Sequence, residues 1–293
     1  MTNLEEPQCE SPLEAGDYAD LNLLPQHQQQ LQESAISPKV AKERAYWSAT
    51  KKRDLKDLGF SERQCRVPAL VMPIYNVLGE IISHQIRPDN PRAGKDGRII
   101  KYETPTKARL ALDVPPAVRE TLADPKVILF ITEGAKKADS AVSHGLFCLA
   151  LLGVFGWRGT NRAGGRIALP DWELIALNGR PIYIVFDSDV AVKPEVSAAL
   201  IRLKNFLELR GATVRIIYLP SRRDGGKVGL DDFFAAGGTT DDLLSFATET
   251  VREPAEAERE GYTHPYIEKP EGIFLCQAAF DSSGPVPLTN FTA

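Results

Sequence analysis

The residues best placed for chemistry are acidic and stand where strands should stop. Glu133 follows the apolar run KVILFIT and precedes Gly134, which opens the helical pattern GAKKADSAVSHG; Asp187 and Asp189 close the run PIYIVFDSD. Asp231 and Asp232 follow LPSRRDGGKVGL, after a further apolar run. Side chains alternate along a strand, so Asp187 and Asp189 are expected to face the same way and bring two carboxylates to one sheet edge. Like charges that close are unfavourable without a cation, and oxygen ligands suit Mg2+ or Mn2+. In this reading Asp187 and Asp189, with Asp231, hold the metal, and Glu133 serves as a general base or a further ligand. Each acid also has a plainer reading. Glu133 is then a first-turn acid favoured by the helix dipole, the DxD is turn chemistry, and Asp231 and Asp232 cap a helix ahead of the FF pair.

The elements that must position these acids are legible from periodicity. LFCLALLG and ATVRIIYLP join KVILFIT and PIYIVFD as strands, and KPEVSAALIRLKNFLELRG is a long amphipathic helix ending at Gly211. Continuous apolar strands separated by helices mean an α/β fold with a mainly parallel sheet covered by helices on both faces, and such sheets collect function at the carboxyl ends of their strands. Upstream, Ser37 before Pro38 signals a helix start, a second helix spans about 51–58 and closes at Gly59, and ALVMPIYN and LGEIISHQIR read as two strands joined near Asn76 to Gly79. The expected organisation is an acidic, flexible tail over 1–27, a small basic α+β subdomain over 28–117, the α/β domain over 118–250, and a charged linker with the start of a following region over 251–293.

Composition bounds the rest. The chain has 293 residues, and its formal charge of −4 hides an asymmetry. Residues 1–38 carry seven acids and no Lys or Arg, whereas residues 39–109 carry sixteen basic and eight acidic residues, a net of +8. Clustered basic residues suit nucleic acid or nucleotides, because they release counterions from phosphates; a solvated surface is the alternative. Cys9, Cys65, Cys148 and Cys276 form no CxxC pair, which excludes a zinc ribbon and leaves oxygen as the ligand for any metal. No apolar run is long enough for a membrane helix and the N-terminus lacks a secretory pattern, so a cytoplasmic protein without a membrane partner is expected.

Taken together, ITEG, FDSD and KVGLDDFFAAGG resemble the TOPRIM domain shared by bacterial-type primases, topoisomerases and some nucleases, and their order is similar to DnaG-type primases. The upstream segments AISPKVAKERAYWSAT, LKDLGFSERQ, LVMPIYNVLGEIISHQIRPD and IIKYETPT resemble the basic subdomain that precedes TOPRIM in those primases. TEGAKKAD, GVFGW, FDSD and GLDD look more closely like an uncharacterised TOPRIM-like family at the front of phage and plasmid primase-helicases. The resemblance covers about 28–240. It implies a nucleotidyltransferase that makes primers on single-stranded DNA from nucleoside triphosphates with Mg2+ or Mn2+, in replication of a mobile element and beside a helicase. A non-catalytic DNA-recruiting module and a metal-dependent nuclease are its rivals.

Under that resemblance Arg87, Lys101 and Tyr102 contact template or nucleotide. Lys136 and Lys137, in the first turn of a helix, suit an anion. Arg158, Arg162 and Arg166 lie among glycines in a long loop, GVFGWRGTNRAGGR, that could cradle phosphate. Surface charge is the alternative for all of these. Two family features are not matched: the zinc module of cellular primases and a GxxxxGK[ST] phosphate loop, so this stretch is not itself the helicase.

Overall fold

The computed structural model describes residues 18–191, 193–221 and 226–252, together with the strand segments Tyr266–Lys269, Gly272–Leu275 and Val286–Pro287. The chain divides into two compact units, Met1–Glu253 and Pro254–Ala293.

The first unit begins with α1 (Pro25–Gln32) and α2 (Pro38–Arg44), both with proline in the first turn, where its missing N–H costs nothing. The Ser37 hydroxyl accepts from the Val40 N–H, the N-cap its sequence promised. β1 (Trp47–Ala49), α3 (Lys52–Asp57), β2 (Ala69–Tyr75) and β3 (Ile81–Pro88) follow. The strands form an antiparallel sheet in the order β1-β2-β3. Leu70 and Met72 of β2 pack against α1 and α2, while Ala69 and Val71 point the other way, toward Leu55 of α3. A small ribbon of β4 (Arg92–Ala93) and β5 (Ile99–Ile100) extends beyond β3.

The expected tail needs correction over its last ten residues. Tyr18 is fully buried and its hydroxyl donates to the Ile36 carbonyl, and His27, inside α1, is fully buried between the Ser48 hydroxyl at 2.7 Å and Asp89 at 2.8 Å. α1 escapes apolar-periodicity reading because only His27 and Leu31 of its eight residues are buried.

The second layer system is α/β. β6 (Leu129–Glu133), α4 (Ala135–Ser143), β7 (Cys148–Leu151), β10 (Pro181–Phe186), α5 (Pro194–Leu209), β11 (Thr213–Tyr218), α6 (Leu230–Ala235), α7 (Thr240–Ser245) and β12 (Ala247–Thr248) build a sheet ordered β12-β11-β10-β6-β7. Between β7 and β10 stands the hairpin of β8 (Arg158–Thr160) and β9 (Arg166–Ala168). All pairs in the five-stranded sheet are parallel except β11 with β12. Ile131, Ile184 and Ile216 face Leu200, Leu203 and Leu207 of α5; Phe130, Val185 and Ile217 belong to the opposite face, with Ala138 and Ala141 of α4 and Phe234 of α6. Each fully buried leucine of α5 contributes about 1.5–3 kcal/mol by leaving water, so this face is anchored by packing rather than charge.

The two layer systems share buried charge. Arg44, fully buried on α2, donates to Asp139 of α4 at 2.8 Å and to Asp113 at 2.7 Å, and Tyr46 donates to Asp139 at 2.6 Å. Asp113 is bridged through its backbone to Ala150 of β7. One formally basic residue of the +8 segment therefore binds this protein's own acids.

In the second unit, Tyr266–Lys269 (β13), Gly272–Leu275 (β14) and Val286–Pro287 (β15) pair antiparallel in the order β13-β14-β15. Of the expected linker and following region over 251–293, only residues 251 and 252 and these three strand segments are described.

Candidate active site

The carboxyl ends of β6 and β10 meet because their registers are fixed along the strands: Ile182 pairs with Leu129 and Val185 with Thr132. The Thr132 hydroxyl donates to the Val185 carbonyl at 2.8 Å. Continuing that register sets Glu133 beside Phe186, with Asp187 one residue beyond. After Glu133 the chain turns abruptly into α4 through Gly134, whose φ of +96° is a conformation that side-chain-bearing residues rarely adopt.

One cavity lies over these strand ends. Its walls include Glu133, Gly134, Lys136, Lys137, Asp187, Lys227 and Asp231, with Gln85 of β3 and Tyr102 reaching in from the basic sheet's side. Asp187 is 1% exposed, and its two oxygens face different ammoniums: Oδ1 lies 2.5 Å from Lys137 Nζ and Oδ2 2.5 Å from Lys227 Nζ. Both contacts are at charge-assisted hydrogen-bond distance, and Lys227 is held on Asp187 by hydrogen bond and charge together. Lys227 Nζ also lies 3.4 Å from Asp189 Oδ2, which Lys193 Nζ meets at 2.7 Å.

The expected convergence of Asp187 and Asp189 is thus through Lys227, and strand alternation does not produce it. β10 ends at Phe186, and Asp189 lies in a 3-10 turn, Ser188–Ala191. Ser188 fixes this turn to the 226–229 segment: its N–H donates to the Val228 carbonyl at 3.0 Å, and its hydroxyl accepts from the Val228 N–H at 2.9 Å.

The acids after that segment divide their work. Asp232 accepts from the Gly229 N–H at 2.8 Å and caps α6, the plainer of its two readings, while Asp231 faces the cavity. Gly229 lies close against the ends of two of these side chains. A Cβ there would stand 2.6 Å from Asp231 Oδ1 and 2.7 Å from Lys137 Cε.

Burial sets the proton affinities. It raises the Glu133 carboxyl above the ordinary range, against the opposing charge of Lys137. It likewise raises Asp231. Lys136, 4% exposed, is pushed down to about 8, first by burial and then by the Arg87 charge; its ammonium donates to the Gln30 carbonyl at 3.2 Å. Burial opposes the charged forms of Asp189 and Lys227 alike, but the ion pairs win: Asp189 falls below its ordinary value and Lys227 rises above its own.

The remaining basic residues separate by distance from this cavity. Arg87 stacks over the Tyr102 ring at 5.5 Å and donates to its hydroxyl at 3.2 Å, so it stands at the rim. Arg87 and Lys101 line a neighbouring pocket with Gln30 and Asp89. Arg158, Arg162 and Arg166 are not in the lining of either pocket, and their segment is the β8-β9 hairpin rather than a loop. Arg158 stacks over Phe155 at 4.8 Å, Arg166 donates to the Thr160 hydroxyl at 2.6 Å, and Arg162 is exposed at the turn. Sequence reasoning missed Gln85 and Lys227; the signal for Lys227 was its place in the loop before the acidic pair.

Whether these side chains fit the expected Mg2+ or Mn2+ can be tested on their arrangement. Among the described residues no three His, Cys, Asp or Glu side chains gather around one cation position, and the oxygens of Asp187 are already faced by ammoniums. The arrangement does not fit a resident divalent cation held by Asp187, Asp189 and Asp231. Nor, among the described residues, is any helix long and apolar enough to cross a membrane.

Residues 119–241, which include every acid of the cavity, match a family described as a domain of unknown function, DUF3854. An uncharacterized protein of Picosynechococcus sp. is 34% identical over 105 residues, 33% of this chain and 10% of that one; the chain therefore spans about a tenth of that curated relative. Solved DnaG-type primase catalytic cores share the fold. One DnaG catalytic core superposes with a TM-score of 0.54 at 16% identity, covering 78% of this chain and 73% of its own. The Aquifex aeolicus primase, zinc-binding and RNA polymerase domains, gives 0.53 at 16% identity, covering 76% and 56%. A DnaG primase catalytic domain bound to single-stranded DNA gives 0.51 at 17% identity, covering 76% and 71%. The mixed α/β architecture with its mainly parallel sheet is that of these cores.

Proposed function

We propose that this chain is a primase-like nucleotidyltransferase core, of the TOPRIM kind, which joins nucleotides on single-stranded DNA in the replication of a mobile element, beside a helicase. The observation that carries the reading is the shared cavity. Glu133, Asp187 and Asp231 meet three lysines at the carboxyl edge of the sheet, and the basic sheet supplies Tyr102 and Arg87 at the rim. The likeness to a catalytic domain bound to single-stranded DNA supports the choice of template.

The chemistry follows from the charges. Lys136, Lys137 and Lys227 present ammoniums to the triphosphate, and a positioned, water-poor cation set is what lowers the barrier in this reaction class. The primer 3′ oxygen attacks the α-phosphorus, the bond to the bridging oxygen breaks, and pyrophosphate leaves. Glu133 takes the hydroxyl proton; its raised proton affinity makes it a better base than an ordinary carboxylate, provided it is ionised at the working pH. The Tyr102 ring with Arg87 above it offers a platform for a base or a template phosphate. Mg2+ or Mn2+ belongs in the assay buffer, but no step is assigned to a cation resident in the free protein.

The test is to incubate the protein with single-stranded DNA, labelled nucleotides and Mg2+ or Mn2+. Extended products support synthesis. Shortened DNA would instead identify a nuclease, and bound but unchanged DNA would identify a recruiting module.

A further inference from the structure

The β8-β9 hairpin carries positive charge that the cavity does not use. No Asp or Glu stands between Asp139 and Asp171, and Arg158, Arg162 and Arg166 all fall within that stretch. The register pairs Arg158 with Ala168, Gly159 with Ile167 and Thr160 with Arg166. Side chains alternate along each strand, so Arg158, Thr160 and Arg166 share one face of the ribbon, while Gly159 and Ile167 take the other. Arg162 is exposed in the connecting turn. The contacts of these guanidiniums orient them without cancelling their charge: Arg158 lies over the Phe155 ring at 4.8 Å and the Trp157 ring at 5.4 Å, and Arg166 donates to the Thr160 hydroxyl. The hairpin is held at both ends. At its base Trp157 and Leu169 are buried, and the Trp157 carbonyl accepts from the Leu169 N–H at 3.1 Å and from the Trp172 indole at 2.9 Å. At its tip the Asn161 side-chain oxygen accepts from the N–H groups of Ala163 at 3.0 Å and Gly165 at 2.8 Å. The chain enters this hairpin from Leu152 and Gly153, which line the cavity at the strand ends.

We propose that this hairpin is a second nucleic-acid contact, outside the cavity, which holds the phosphate backbone of a single DNA strand where that strand leaves the site. This rests on the single-strand reading given above and adds to it a surface of its own. The arginine fork matches phosphate oxygens, and a ribbon already fixed at base and tip binds with little ordering cost. Phe155 favours a single strand over a duplex. Its ring is 39% exposed with a guanidinium stacked on it, a platform that takes an unpaired base, whereas a duplex keeps its bases in their own stack. The hairpin then raises affinity for the strand and takes no part in the bond-forming step.

The measurement is fluorescence anisotropy of a labelled single-stranded oligonucleotide of about twenty nucleotides, titrated with the full chain at salt from about 50 to about 400 mM. Each phosphate contact on a single strand contributes about 0.7 to the slope of log affinity against log salt. Arg162→Gln combined with Arg166→Gln should therefore lower the slope by about 1.4 and weaken binding at least about tenfold at about 0.1 M salt. Both side chains are exposed, so circular dichroism should show an unchanged fold. Lys126→Gln combined with Arg202→Gln removes the same charge from exposed positions outside the hairpin, and should move the slope by no more than about 0.5. Phe155→Ala should weaken the single strand at least about fivefold, the scale of one base stack, and leave a blunt duplex of the same length unaffected. An unchanged slope in the hairpin pair, an equal fall in the control pair, or a hairpin effect confined to the duplex would each overturn the proposal. So would a wild type that binds no single strand. Strand binding that ignores the hairpin leaves the nucleotidyltransferase reading standing, and a hairpin effect without synthesis leaves this contact standing.

Discussion

Asp187→Asn separates two pictures of the strand edge. If Asp187 and Asp189 were an unneutralised pair, removing one charge would relieve repulsion and hold or raise the melting temperature. The structure predicts the opposite, because the carboxylate is 1% exposed and contacts two ammoniums. Removing one partner of a fully buried pair costs about 3–5 kcal/mol. Lys137 keeps 19% of its side-chain surface and partly rehydrates, and the half-exposed Lys227 pair adds no more than about 1 kcal/mol. Relief of the repulsion that Asp187 exerts on Glu133 offsets part of the loss. The expected net destabilisation is about 2–3 kcal/mol, which for a folded unit of this size lowers the melting temperature by about 4–12 °C. Differential scanning calorimetry on wild type, Asp187→Asn, Lys137→Met and the double variant reads both the shift and the coupling between the two sites. A melting temperature at or above wild type for Asp187→Asn, with no coupling to Lys137, would refute the lysine-neutralised edge.

Three further outcomes follow from individual contacts. Lys136, pushed down to about 8, carries its charge below that pH and loses it above, so affinity for a single-stranded oligonucleotide should fall between pH 7 and 9 in fluorescence anisotropy, and Lys136→Met should flatten that fall while weakening binding at pH 7. Arg44→Met strands Asp113 and Asp139 in the interior at a cost of about 3–5 kcal/mol; burial already pushes Asp139 up to about 6 with the guanidinium opposing it, and without Arg44 it rises further, so the loss should be largest at pH 8 and shrink toward pH 5 as Asp139 protonates, in urea melts across that range. Gly229→Ala puts a Cβ 2.7 Å from Lys137 Cε and 2.6 Å from Asp231 Oδ1, and should cut nucleotide incorporation at least about tenfold through misplacement of charged groups, with a melting shift smaller than that of Asp187→Asn.

What the sequence revealed and what it hid divide along local and long-range lines. Apolar runs of four to eight residues gave β6, β7, β10 and β11 and put Glu133 and Asp187 at their ends, because burial on both faces leaves a continuous pattern. Gly59, Gly134 and Gly211 marked turns because each adopts positive φ. The Asp187–Lys227 contact was invisible, since it joins positions forty residues apart through the fold of the 226–229 segment. Charge counting overstated the surface available for DNA: Arg44 is buried on Asp113 and Asp139, and Arg92 is paired with the buried Glu103 at 2.8 Å. Helix α1 hid for a different reason. A polar stretch that buries a histidine on a serine and an aspartate has no hydrophobic period to read.

Glu133→Gln tests the central claim most directly, because it keeps the side chain's shape, leaves both partners of each Asp187 ion pair in place and removes the proton acceptor together with the charge that Lys137 and Lys227 feel. The measurement is template-dependent incorporation of labelled nucleotide by wild type and Glu133→Gln at equal occupancy of single-stranded DNA, set beforehand by anisotropy. Wild type should extend products while Glu133→Gln loses about a hundredfold or more in rate, the scale of general-base catalysis, with DNA affinity within about twofold. Equal rates for the two proteins would contradict a catalytic role for the cavity at the ends of β6 and β10.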